Sequence, residues 1–178
     1  MLTLGVSHMT IQSGVVDALS RLAHPWASVY NDSPALQTVV TFLHLASIFL
    51  GGGFAIATDR ETLLAMNARV TGQMRHLAHL HSIHRPVLFG LTLALASGFL
   101  LFAADVETFA RSPVFWVKML LLALLLANGY LLARTEAALR SGQVDAPNLW
   151  ARLGYISYAS MALWLAVILA GTLLVNQA

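Results

Sequence analysis

The chain has 178 residues, of which 58% are hydrophobic and only 10% charged, and its mean hydropathy is +0.72. A soluble domain carries about 25% charged residues, so this composition cannot cover a globule in water, and lipid is the alternative solvent. The lack of cysteine excludes disulfides, thiolate metal sites, cysteine-ligated iron–sulfur clusters and covalent c-type haem. The net charge of +2 comes with nine arginines and one lysine that lie mostly between apolar stretches, a membrane-topology pattern and not a nucleic-acid footprint.

The pattern predicts an all-α membrane protein: an interfacial segment over 1–35, then a four-helix transmembrane bundle over 36–178. No basic segment followed by an apolar core opens the chain, so no cleaved signal peptide is expected. Over 11–22, Ile11, Val15, Leu19 and Leu22, continued by Trp26, share one helical face, with Gln12, Asp17, Arg21 and His24 elsewhere. This stretch is too short and polar to span. It reads as a helix lying in the interface or packed on the bundle, ended or kinked at Pro25.

A span needs about 20 apolar residues. The first is expected over 36–58, with Asp32 or Ser33 as cap, Pro34 in the first turn, and Asp59, Arg60 and Glu61 at its end. A polar connector, or an extension of the second span, follows to His84. The second span is expected over 86–104. Ser112-Pro113 signals the start of the third, over 114–133, which Arg134, Glu136 and Arg140 close. Ser141-Gly142 and Asp145-Ala146-Pro147 mark a loop before the fourth span, over 155–175.

Small and polar residues, not apolar ones, hold helices together in lipid. Gln37, Thr41, His44, Ser47 and Gly51 form such a stripe on the first span. Gly90, Ala94 and Ser97 or Gly98 form one on the second, and Ser157, Ser160, Trp164 and Gly171 on the fourth. Gly51-Gly52-Gly53 reads either as tight helix contact or as a flat wall for a planar ligand.

Ionisable groups inside a span are functional candidates, and two lie well inside: His44 and Lys118. A neutral imidazole is a good axial ligand for haem iron and binds copper; the plainer role for His44 is a hydrogen bond to a carbonyl of another helix. Lys118 either snorkels to the interface or turns inward, where it would meet His44 and suit an anion such as a porphyrin propionate. His76, His79, His81 and His84 spread over about 200° of a helix, which fits a solvated connector better than one metal site. His84, next to the second span, is the best of them as a ligand.

Phe42-Leu43-His44-Leu45-Ala46 followed by Gly51-Gly52 resembles the first helix of CopD-type copper-resistance membrane domains and of HemJ-type protoporphyrinogen oxidases. The stretch from Met74-Arg75-His76-Leu77 through Pro86 to Ala96-Ser97-Gly98-Phe99-Leu100-Leu101 is similar to their second helix, and Trp116-Val117-Lys118-Met119-Leu120 looks like their W-x-K signature. The resemblance covers about 36–140. It implies a four-helix protein binding b-type haem, with His44 and Lys118 as key residues, Lys118 catalytic if the chain is an enzyme, and Trp116 beside them at the cofactor.

Three functions follow as expectations: a haem b protein of membrane redox chemistry acting with quinone or porphyrin, a copper-handling protein, or an accessory subunit of a larger membrane complex. The connector between spans one and two holds Arg60, Arg69, Arg75 and Arg85, and the loop between spans three and four is flanked by or contains Arg134, Arg140 and Arg152. The loop between spans two and three has only Arg111. Positive residues favour the cytoplasm, so in a bacterial plasma membrane both termini face outward. A reporter fused after Ala178 should signal from outside and one within 59–85 from the cytoplasm; a cytoplasmic signal from the first would contradict this orientation.

Overall fold

The computed structural model describes the backbone of residues 3–66, 70–141 and 146–176, and the side-chain surroundings of residues 14–66, 85–141 and 147–176. The described residues are helical, with no strand among them: α1 (Thr3–Asn31), α2 (Pro34–Ala65), α3 (Val70–Ala104), α4 (Val106–Arg111), α5 (Pro113–Arg140) and α6 (Ala146–Val175). Four segments are long and apolar enough to cross a membrane: Pro34–Ala65, Arg85–Ala104, Pro113–Arg140 and Pro147–Val175. The fold is an all-α membrane helical bundle.

The helix starts follow their caps. Ser33 is extended and its hydroxyl accepts from the Leu36 amide, with Pro34 opening α2 where a missing N–H costs nothing. Ser112 and Pro113 repeat the device on α5. Of the two readings of the polar stretch before His84, the extension of the second span holds from Val70 on: it is the first part of α3, which runs through Pro86. Other elements outrun their sequence signals. α1 likewise continues past Pro25 to Asn31, where an end or kink is expected from sequence. Its far end is held by the bundle: the Trp26 indole donates to the Leu100 carbonyl at 2.9 Å, and the Gln37 amide donates to the carbonyls of Tyr30 and Asn31. The half-buried residues of α1 are Val16, Ser20, Ala23, Trp26, Ala27 and Tyr30; of the face expected from sequence Trp26 is among them, whereas Val15, Leu19 and Leu22 are exposed. Residues 105–112, read as loop, contain the short helix α4, capped by Asp105.

α2 lies at the centre, packed on α3 and α6, and α5 packs on α6; α1 and α4 cover the end near the α3–α5 connection. Glycines set the α2 contacts. A Cβ on Gly90 would sit 2.6 Å from the Gly51 nitrogen and 2.7 Å from its Cα, so α2 and α3 touch backbone to backbone. One residue on, Gly52 receives the Trp164 ring of α6, 2.9 Å from where its Cβ would be. Gly53 faces open space. The large apolar side chains point the other way: Phe42, Phe49, Phe89, Phe99 and Leu165 are all exposed, as befits a lipid-facing surface. Two apolar clusters lie within. Leu125, Trp164 and Val167 centre one, and Ala65, Leu139, Trp150 and Leu153 form the other, toward the arginine-rich end.

The Gly51–Gly90 crossing generates a test. Gly90→Ala gains roughly 1 kcal/mol of helix propensity but must push two backbones apart, and overpacking costs about 1–3 kcal/mol. Thermal unfolding in detergent should show Gly90→Ala less stable than wild type and Gly53→Ala no less stable; equal effects would contradict the crossing.

Candidate functional site

His44 sits ten residues after Pro34, about 15 Å along α2 at 1.5 Å per residue. Its Nδ1 lies 3.1 Å from the Ala94 carbonyl and 3.1 Å from Ser97 Oγ, both on α3. These partners settle which nitrogen carries the proton. A carbonyl only accepts, and the Ser97 hydroxyl already donates to the Leu93 carbonyl at 2.6 Å. Both therefore accept from His44, so Nδ1 carries the hydrogen and Nε2 of the neutral ring keeps a bare lone pair. Nε2 has no hydrogen-bond partner among the described residues. The ring is further fixed by Gly98, whose Cβ would meet His44 Cε1 at 3.0 Å; only glycine lets the imidazole lie this close to α3.

Lys118 is five residues into α5, about 8 Å from its start. It turns inward: its Nζ lies 3.5 Å from where a Gly171 Cβ would be, on α6, and its positive charge is felt at His44. The structure thus brings His44 and Lys118 into one neighbourhood, bordered by Gly98 and Gly171. α5 and the described part of α3 lean on different partners, α6 and α2, and are joined at this end through α4 and the stacked rings of Phe102 and Phe115, 5.1 Å apart. The arrangement offers one fixed imidazole lone pair and one ammonium at a depth where water is scarce.

The other residues singled out from sequence are not brought to this place. Trp116 is 57% exposed, and its indole donates to the Ala110 carbonyl, tying α5 to α4. Gly51 and Gly52 face Gly90 and Trp164, so protein fills the surface they offer. The side chains of His76, His79, His81 and His84 lie outside the described residues.

A second polar centre escaped the sequence reading. Asp59 and Glu136, read as the polar ends of spans, are each 3% exposed inside the bundle. Thr62, Thr135, Ser157 and Ser160 are buried with them, and Asn128 nearby donates to the Ile156 carbonyl across α5 and α6. The signal was spacing: Asp59 follows Gly52 by seven residues, and Leu125, Asn128, Leu132, Thr135 and Leu139 continue one stripe of α5, beside Glu136.

No family model matches this sequence, and neither curated proteins nor solved structures give a match to it.

The tautomer is directly measurable. Nitrogen-15 NMR of histidine-labelled protein, with His44 assigned by its loss in His44→Gln, should show a protonated Nδ1 and a bare Nε2. The opposite assignment would contradict the hydrogen-bond reading.

Proposed function

We propose that this chain is a multi-pass protein of the inner (plasma) membrane that holds a b-type haem through His44 Nε2 and serves membrane redox chemistry, with quinone or porphyrin as its lipid-phase partner. The observation that carries this reading is the pair of acceptors on Nδ1, Ala94 carbonyl and Ser97 Oγ, which leaves Nε2 bare and aims the ring. Metal-bound histidines characteristically donate their other ring N–H in this way, which fixes the tautomer and raises the basicity of the ligating nitrogen.

The residues present fit such a group. Gly98 stands against the imidazole and Gly171 against the amine, each without a side chain of its own. Lys118, which has no ion-pair partner among the described residues, would face a propionate, and pairing matters where an unpaired charge is costly. When bound, haem supplies one-electron chemistry at its iron. A porphyrin brings four equatorial nitrogens, so one imidazole suffices, whereas a copper ion must gather its donors from the chain; among the described residues no three His, Cys, Asp or Glu side chains meet. The resemblance to HemJ-type proteins supports the same pair and makes protoporphyrinogen oxidation the enzymatic form of the reading, with Lys118 as its porphyrin-facing residue. The arginine bias puts both termini and this site on the outer side.

Protein expressed with ample haem should purify with a Soret band. His44→Ala should abolish the band or shift it strongly, Lys118→Ala should weaken haem retention several-fold, and Arg111→Ala, on an exposed helix end, should change neither. Colourless wild-type protein would refute the proposal and favour the copper or accessory-subunit readings. An unchanged band in His44→Ala would reject the ligand assignment.

A further inference from the structure

The four spans do not close into a ring. α2 packs on α3 and α6, and α6 packs on α5, but α3 and α5 do not pack on one another among the described residues. What links them is the stack of Phe102 on Phe115, with α4 beyond it. Helical spacing carries the two facing stripes on from that stack. On α3 the stripe is Gly98, Leu95, Leu91 and Leu88, and on α5 it is Lys118, Leu122, Leu126 and Gly129. A closed bundle would bury both. Instead Leu88 is 59% exposed, Leu95 42% and Leu126 43%, and a Cβ on Gly129 would meet nothing within 4 Å. An open seam therefore faces the lipid between α3 and α5. Behind it Leu91 and Leu121 lean on the cluster of Leu125, Trp164 and Val167.

The seam has a polar head and an apolar length. Lys118 lies one turn below Phe115, half-buried, and has no ion-pair partner among the described residues. The nearest acids along the chain are engaged elsewhere: Asp105 caps α4, and Glu107 pairs with Arg111 at 2.7 Å. From Lys118 to Gly129 the seam follows eleven residues of α5, about 16 Å. Lipid tails are as apolar as leucine, so a chain gains little by leaving the bilayer for this seam. Selectivity has to come from charge, and an ammonium unpaired in lipid favours an anion. The ring stack and α4 stand over Lys118 and leave no room for a bulky head group. A single chain that ends in one small acidic group fits.

We propose that the α3–α5 seam binds a long-chain carboxylate, its acidic head on Lys118 and its chain running between Leu91, Leu95, Leu122 and Leu126 toward Gly129. This goes beyond the haem reading and stands without it. One ammonium serves one anion, so this carboxylate and a haem propionate exclude one another.

Electron paramagnetic resonance of spin-labelled stearate tests it, on haem-free full-chain protein in nanodiscs of zwitterionic phosphatidylcholine. The protein should immobilise the stearate and hold its methyl ester about tenfold more weakly. That comparison uses wild-type protein, so it does not depend on a variant folding. Lys118→Gln should abolish the preference for the acid. Gly129→Phe, which fills the seam, should displace the chain, whereas Gly53→Phe should not, because Gly53 faces open space beside Phe42 and Phe49 on another face of α2. Acid and ester immobilised equally, or a preference that survives Lys118→Gln, would overturn the proposal. So would a second copy in the seam, seen as a disulfide-linked dimer of the Leu95→Cys protein, which has no other cysteine, that immobilises no stearate.

Discussion

A polar group buried among helices in a bilayer has only other protein groups to turn to, and much of this structure follows from that constraint. Lipid tails are as apolar as leucine, so Phe42, Phe89 and Leu165 gain little from turning inward and stay exposed. What draws the helices together is close backbone approach and the pairing of polar side chains with carbonyls. Gly51 against Gly90 supplies the first and His44 against Ala94 the second, two turns apart on the same α2–α3 seam. Asn128 to the Ile156 carbonyl performs the same service between α5 and α6.

The same constraint makes the exceptions informative. His44 satisfies one ring nitrogen and leaves the other bare, and Lys118 is folded inward although an amine so near a helix start could reach the interface. In the other half of the bundle, Asp59 and Ser157 carry unpaired oxygens in a layer closed by tryptophan and leucine. Among the described residues there are therefore two separate polar centres on either side of one apolar cluster. One offers a nitrogen lone pair and the other a carboxyl.

Much of the bundle was legible in the sequence because apolar length and small-residue stripes are local signals. Gly90, Ala94 and Ser97 on α3, and Ser157, Ser160 and Trp164 on α6, face inward as their spacing says. Helix ends were less legible. Asp59 and Glu136 look like terminators because charge normally marks the water boundary, but α2 and α5 run on for another turn or more with their acids turned into the protein. Pro25 likewise reads as an end or kink, and α1 continues through it. Of the candidate site, the meeting of His44 and Lys118 could be anticipated from their depths. The tautomer could not, since it depends on where Ser97 sends its own hydrogen.

The bare Nε2 of His44 is the atom proposed to bind iron. Resonance Raman spectroscopy of reduced, haem-loaded protein reads that bond directly through the iron–imidazole stretch. Ligation by His44 requires such a stretch, with an isotope shift when the histidines carry nitrogen-15 and no shifted band in a His44→Gly protein supplied with unlabelled imidazole. A haem-loaded protein whose iron–ligand bands ignore the histidine label would contradict it.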